Sequence, residues 1–558
     1  MTAPATDRSS KFDPVSLQIL WSRIVALVDE SAATLVRTSF STLVRESNDF
    51  SCVITDARGY SLAQSTASIP SFIGTLPATV KLLLQQYPVE SLRPGDLLIT
   101  NDMHIGTGHL PDVNIVRPVF KNGRLVAMAA SVAHAPDIGG KLRAPDPREV
   151  FEEGLQIPPM KLADQGRLNE QLLMIVRANV RVPDQVVGDL MAQMAATEMA
   201  ERRLLELMDE TGLEDLIDLA DTIQGYSETA MRNAIRELPD GEYDSELATD
   251  GLAEPITVKC KITVTGDEML VDYTGSSPQV DRALNVVPHY GYAYTVYGVK
   301  CALAPSVPNN EGCFRPVRFY APEGSILNPR PPAAGGARVL VGHYLTFAVM
   351  GALAEAMPDR VLAASGAPVW AFNVLGVNRN GARFANCFFF NGGLGARPND
   401  DGIHTLAFPG NTGNTPIELM ESWAPILIEK KEIRRDSGGP GKFRGGCGQT
   451  VVIRNMGSLP LTMSFLAERT KTAAPGIFGG MAGGLGSVKS NGEEINSKET
   501  RLMMPGERIE LSTPGGGGYG DPRVRDRAAV ARDVEYDRVS PQQAREAYGP
   551  EQAANDKP

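Results

Sequence analysis

The sequence predicts an α+β protein: a large mixed body with an N-terminal helix and strand hairpins, central helices, and a glycine-rich, mostly β C-terminal region. Three observations point there. A capped amphipathic pattern opens the chain, polar–apolar alternation sets in from Gly241, and glycine and proline are in surplus, at 55 and 40 of 558 residues. Their usual shares are about 7 % and 5 %. With 42 % hydrophobic residues the chain is too apolar for a disordered polymer, so the surplus belongs to turns and tight loops. No fixed period recurs, which excludes collagen, coiled coil and solenoid.

The elements follow in order. Asp13-Pro14 supplies an N-cap and a first-turn proline, and Leu17, Leu20, Ile24, Leu27 and Val28 carry an apolar face to about Thr38. Residues 50–64 read as a hairpin, CVITD and YSLAQ about an ARG turn. A helix is expected over 76–85. Strands are expected over 96–101, 113–120 and 124–133, the last two joined by Lys121-Asn122-Gly123. Helices follow over 183–211, with Val187, Met191, Met194, Leu205 and Met208 as apolar positions, and over 216–237. From Gly241, EYDSELATD, ITVKCKITVTG and MLVDYTG alternate, with a turn at residues 265–268. Pro/Gly loops surround 305–316 and 329–337, and a helix is expected over 342–357. The end reads as short strands between SGGPGKFRGGCG, GIFGGMAGGLG and TPGGGGYGDP, taken as tight turns. A charged helical stretch then leads to a disordered tail from about Glu551.

Length alone suggests three to four domains. The pattern divides the chain as 1–240, an α/β region; 241–520, a mixed β-rich region with glycine loops; and 521–558, a charged helical segment and tail. Net charge is −12, which argues against a nucleic-acid or anionic-membrane binder. Residues 1–14 are polar and lack the apolar core of a signal peptide. The longest nearly apolar run, between Arg338 and Glu355, is too short and too polar to span a bilayer. Six scattered cysteines without a C-x-x-C pair fit a reducing, cytoplasmic setting.

Chemistry concentrates in one window. Of six histidines (His104, His109, His134, His289, His343, His404), three fall within residues 104–134, where uniform scatter would place about a third of one. In NDMHIGTGHLPDVN and VAHAPDIGG a His precedes an Asp by three: His109/Asp112 and His134/Asp137. Imidazole plus carboxylate at loop positions suits zinc, manganese or iron with room for water or substrate. Each residue alone also suits a turn-capping role; the clustering favours a metal or catalytic site, with His104 at its flank. Asp49, in RESNDFS, offers a further carboxylate or a turn residue. Glu152-Glu153 offers acid–base groups or a solvated pair. None of the glycine loops has phosphate-loop or dinucleotide-binding spacing, and no serine or cysteine sits in a G-x-S-x-G elbow.

Seven segments in order, DFSCVITDARGYSLAQ, PGDLLITNDMHIGTGHLPDVNIVRPVF, AHAPDIGG, EEGLQIPPMKL, GNTPIELME, SGGPGKFRGGCG and GGGGYGDPRVRD, resemble the hydantoinase B/5-oxoprolinase family over residues 14–549. The resemblance implies a B-type subunit of an ATP-dependent enzyme, acting with an A-type partner whose ATP and Mg site phosphorylates the substrate. It implies a hetero-oligomer and a small cyclic amide substrate. Carried over residue by residue, the metal ligands become His109, Asp112 and His134, with Asp49 as a further ligand or base. Many members read A-H-H-x-D-x-G-G; here His134-Ala135-Pro136-Asp137 lacks the second His, and Asp137 is expected to orient an imidazole or take a proton. The implied reaction is ring opening of a hydantoin, oxoproline or lactam, with metal-activated water attacking the phosphorylated substrate and Asp49 or Asp137 accepting the proton. The alternatives are a subunit of an acetone- or acetophenone-type carboxylase and a non-catalytic scaffold. In GNTPIELME, Asn414 and Thr415 suit either the pocket or a structural turn.

Overall fold

The computed structural model describes residues 12–141 and 143–549; the expected tail from Glu551 lies outside them. The α+β class holds. Asp13 caps the helix Pro14–Thr38 by accepting from the Val15 and Ser16 N–H groups. After it come β1 (Phe50–Asp56), β2 (Ser61–Gln64), the helix Pro70–Gln86, β3 (Leu97–Thr100), β4 (Asp112–Lys121), β5 (Arg124–His134), β6 (Met160–Asp164) and β7 (Arg167–Leu168). The helix over 70–86 begins six residues before the expected start. Pro70 sits in its first turn and Pro77 is accommodated inside it.

These strands form one antiparallel sheet in the order β2-β1-β5-β4-β3-β6-β7. Side chains alternate across it. Phe50, Cys52, Ile54, Ala127, Ala129 and Ala133 pack with the helices Pro14–Thr38 and Pro183–Thr211. Val53, Met128, Ala130 and Val132 face the helix Pro70–Gln86 instead. Both faces are therefore covered. In the helix Pro183–Thr211 the buried face runs through Val186, Leu190, Ala196, Ala200, Leu204 and Leu207. The expected Met191, Met194 and Leu205 are only partly buried beside it, because small alanines make the close contact.

After the helix Ile217–Arg236 come β8 (Gly241–Thr249), β9 (Ile256–Thr265), β10 (Glu268–Asp272) and β11 (Val317–Tyr320), ordered β11-β10-β9-β8 with the outermost pair parallel. The helices Pro288–Leu303 and Leu345–Leu353 share a core with them. The near-apolar run from Arg338 is buried here as two short helices, and no helix among the described residues is long and apolar enough to cross a membrane. A four-stranded and a five-stranded sheet complete the fold. They share a core containing Phe372, Phe388, Phe465, Val451, Ile453 and Leu511.

The C-terminal glycine segments are not the tight turns the sequence suggests. Gly515 to Gly518 carry no positive φ, unlike Gly520 at +72°. They run beside residues 363–367, 392–396, 437–446 and 474–484, joined by backbone bonds such as Gly516 N–H to Gly446 O at 3.0 Å and Gly517 N–H to Ala364 O at 2.9 Å. A Cβ on Gly516 would lie 2.2 Å from Leu394 O, and one on Gly515 1.7 Å from Ser437 O. Glycine is required there for close backbone approach. All six cysteines are free.

Candidate metal centre

Strand register assembles the site. Asp112 opens β4 and His134 closes β5, and the two are direct cross-strand partners. The turn at Asn122 (φ +51°) and Gly123 (φ +78°) closes the hairpin, and a bulge between Val119 and Phe120 shifts the register by one residue to give that pairing. On the other side of β5, Phe50 pairs with Ala133, and the His134 N–H donates to Asp49 O at 3.1 Å. Three adjacent strand ends thus place Asp49, His134 and Asp112 at one sheet edge. His109 arrives on the loop before β4; Gly108, at φ +90°, leaves room for Val287 and Arg338, which a Cβ would meet at 2.9–3.0 Å.

His109 Nε2 lies 2.7 Å and His134 Nδ1 2.9 Å from the same Asp112 oxygen, Oδ1. One ligand atom from each of the three residues lies within 4.8 Å of the other two, and all three residues are buried. The other Asp112 oxygen accepts from Thr107 Oγ1 at 2.5 Å and from Arg338 Nη2 at 2.9 Å. Burial pushes the Asp112 carboxyl up, but His109, His134 and Arg338 outweigh it and hold it well below the usual carboxylate range. Burial, joined by Arg338, drives His109 well below the ordinary imidazole value, so it is neutral. Its Nδ1 faces Gly336 O at 3.4 Å. In the tautomer protonated at Nδ1, whose proton Gly336 O can accept, Nε2 offers a lone pair to a metal. That buried Nε2 has no hydrogen-bond partner among the described residues and faces a carboxylate oxygen. Two imidazole nitrogens and a carboxylate oxygen, buried and within 4.8 Å of one another, fit a divalent transition metal.

The expected carboxylates part company. Asp49 is brought to the triad, its Oδ2 3.8 Å from His134 Nδ1. Burial raises its pKa against the pull of His134. Asp137 is not brought to either imidazole. Its carboxylate takes Arg181 Nη1 at 2.6 Å, the Arg181 backbone N–H and the Gly139 N–H, so a guanidinium and two amides hold it as a structural ion pair. His104 lies outside the triad, with its N–H on Asp102. Asn414 and Thr415 serve the structural reading: they accept from Asn391 N–H and Phe389 N–H.

The triad opens on a cleft lined by Asp49, Ser71, Tyr290, Tyr294, His343 and Thr412, among others. Sequence reasoning missed two contributors, Arg338 and Arg143, and left Glu153 between two readings. Arg338 pairs with Asp112 and stacks 4.1 Å over the Tyr290 ring; its one sequence sign is that it opens the longest apolar run. Arg143 lines the same cleft. Glu153 is buried, not solvated: its Oε1 accepts from the Gly335 and Gly336 N–H groups at 2.9 and 2.6 Å. It thereby fixes the loop that carries Gly336 O and Arg338. Burial pushes its carboxyl to about 7, against the pull of those amides.

Comparison with known proteins agrees with this frame. The model of the Hydantoinase B/oxoprolinase family matches residues 13–522. A chain of Pseudomonas sp. (strain NS671), named as the B-type subunit of a D-/L-hydantoinase, is 32 % identical over 97 % of this chain and 95 % of its own length. The crystal structure of an ATP-dependent caprolactamase from Pseudomonas jessenii superposes with a TM-score of 0.88 at 28 % identity, covering 98 % of each chain. A nucleotide-free acetone carboxylase shares the fold at a TM-score of 0.87 and 21 % identity, over 96 % of this chain and 79 % of that one.

Proposed function

The chain belongs to the hydantoinase B/oxoprolinase family, and from that premise we propose that it is the B-type subunit of an ATP-dependent cyclic amide hydrolase. The observation that carries the reading is the buried His109–Asp112–His134 cluster with its unpartnered Nε2. His109, Asp112 and His134 would hold a divalent zinc, manganese or iron ion, which supplies Lewis-acid polarisation and makes water a nucleophile near neutral pH. Arg338 and Thr107 fix the Asp112 carboxylate, and Gly336 O lies against Nδ1 of the His109 ring. Asp49, beside His134, is the group in place to accept the proton of the attacking water. Asp137, engaged by Arg181, acts in the scaffold.

An unactivated amide is a poor electrophile. An A-type partner, holding ATP and Mg, phosphorylates the ring carbonyl oxygen. Water then adds to that carbon, the protonated ring nitrogen leaves as the C–N bond breaks to give an acyl phosphate, and a second water releases phosphate, leaving an amino acid or carbamoyl amino acid. The relative named for one subunit of a hydantoinase and the ATP-dependent caprolactamase support a two-subunit arrangement, as does the lack of a phosphate loop in this sequence. The test is reconstitution with the A-type subunit, ATP, and hydantoin, oxoproline or lactam. The expected result is a ring-opened product with ADP and phosphate, absent for the isolated chain and for His109→Ala. Unchanged ring opening by His109→Ala, or fixation of labelled bicarbonate as in a ketone carboxylase, contradicts the reading.

A further inference from the structure

Two guanidinium groups face the cleft with donors that the protein leaves unused. Arg338 is 2 % exposed. Its Nη2 is on Asp112 and its face on Tyr290, yet Nε and Nη1 have no hydrogen-bond partner among the described residues. Arg143 repeats the pattern. Its backbone carbonyl is anchored by Asn373 Nδ2 and Ser464 Oγ, each at 2.9 Å, while its buried Nε and Nη1 also lack partners among the described residues. Arg143 and His134 are the two residues that line both the triad cleft and the adjoining hollow, so Arg143 stands where the two spaces meet.

Guanidinium stays charged in any environment proteins provide, and buried unsatisfied donors are rare and costly. Several converging on one cleft indicate a ligand that satisfies them. Nε and Nη1 of both side chains, four donors in all, call for an anionic ligand rich in acceptor oxygens. A neutral lactam ring needs no such pair, whereas the planar guanidinium fork matches phosphoryl oxygens. We propose that Arg143 and Arg338 form a receptor for the phosphoryl group of the activated substrate, so that the cleft selects the O-phosphorylated amide over the neutral ring. This rests on the two-subunit reading above. Carboxylate and phosphate share oxyanion chemistry, and the test separates them.

Calorimetric titration of the purified full-length chain with inorganic phosphate and, separately, with acetate decides, with metal content measured on the same samples. The expected result is phosphate binding with acetate at least ten-fold weaker, and a loss on the order of 10- to 100-fold in phosphate affinity for Arg143→Gln at unchanged metal content. Phosphate should also protect Arg143 of the wild-type chain from phenylglyoxal, read by mass spectrometry; this needs no variant. Acetate binding as well as phosphate, an unaltered affinity in Arg143→Gln, or modification of Arg143 unaffected by phosphate overturns the receptor. If metal is present but phosphate does not bind, the receptor alone fails. If no metal is taken up, the hydrolase reading fails, and phosphate titration of the metal-free chain still decides the receptor.

Discussion

Replacing Glu153 with glutamine separates its hydrogen bonds from its charge. The amide oxygen of Gln can still accept from the Gly335 and Gly336 N–H groups, which Oε1 now holds at 2.9 and 2.6 Å, so the loop carrying Arg338 stays in place. What disappears is the titration. Moving a carboxyl from 4.5 to about 7 amounts to roughly 3 kcal/mol of preference for the protonated form, at ~1.4 kcal/mol per pH unit. Because the pKa is raised on folding, the folded state binds more protons than the unfolded state between those values. Its contribution to stability is therefore intact below about pH 4.5 and is lost as pH rises through about 7. The assay is an infrared pH titration, wild type minus Glu153→Gln. It should show one protonated buried carboxyl whose C=O band vanishes with a midpoint near 7, and the stability difference between the two proteins should shift by that amount in favour of the variant across the same range. A midpoint at the ordinary value of 4.5, or parallel stability profiles, refutes the claim that burial outweighs the two amide donors.

Gly516→Ala places a methyl 2.2 Å from Leu394 O and should cost at least ~3 kcal/mol, seen as a lower Tm or loss of soluble protein. Gly225→Ala, inside the helix Ile217–Arg236 with nothing within 4 Å of the added Cβ, should instead gain up to ~1 kcal/mol. Asp533 accepts from Arg444 and Arg525 at 2.7–3.1 Å. Asp533→Ala leaves two buried guanidiniums short of a partner, a loss of about 3 kcal/mol, and limited proteolysis should then cleave the helices Arg527–Glu535 and Pro541–Tyr548 faster than in wild type.

What the sequence discloses and what it conceals follow one physical division. The triad is legible because its members lie within one hairpin and the loop that leads into it, where Asp112 pairs with His134. Asp49 joins through the neighbouring strand, which the hairpin pattern of residues 50–64 marks as well. Arg338 and Gly336 reach the same site from more than 200 residues away, and no local pattern records that approach. Glu152 and Glu153 look alike in sequence yet point apart: Glu152 pairs with Lys141 at the surface, while Glu153 turns onto two backbone amides from a distant loop. The helix Pro288–Leu303 gives no amphipathic signal because eleven of its 16 residues are buried, which leaves no polar stripe to set the phase. The glycine segments mislead in the same way. Their composition suits turns, but the reason for glycine is the backbone of another segment at less than a Cβ's distance.

The most direct test of the metal-centre account is elemental analysis of the purified chain and of His109→Ala, Asp112→Ala and His134→Ala after exposure to zinc, manganese and iron. The account predicts a stoichiometric divalent transition metal in the wild type and its loss in each variant, with the fold retained by circular dichroism. Variants that hold as much metal as the wild type, or a wild-type chain that takes up none, would contradict it.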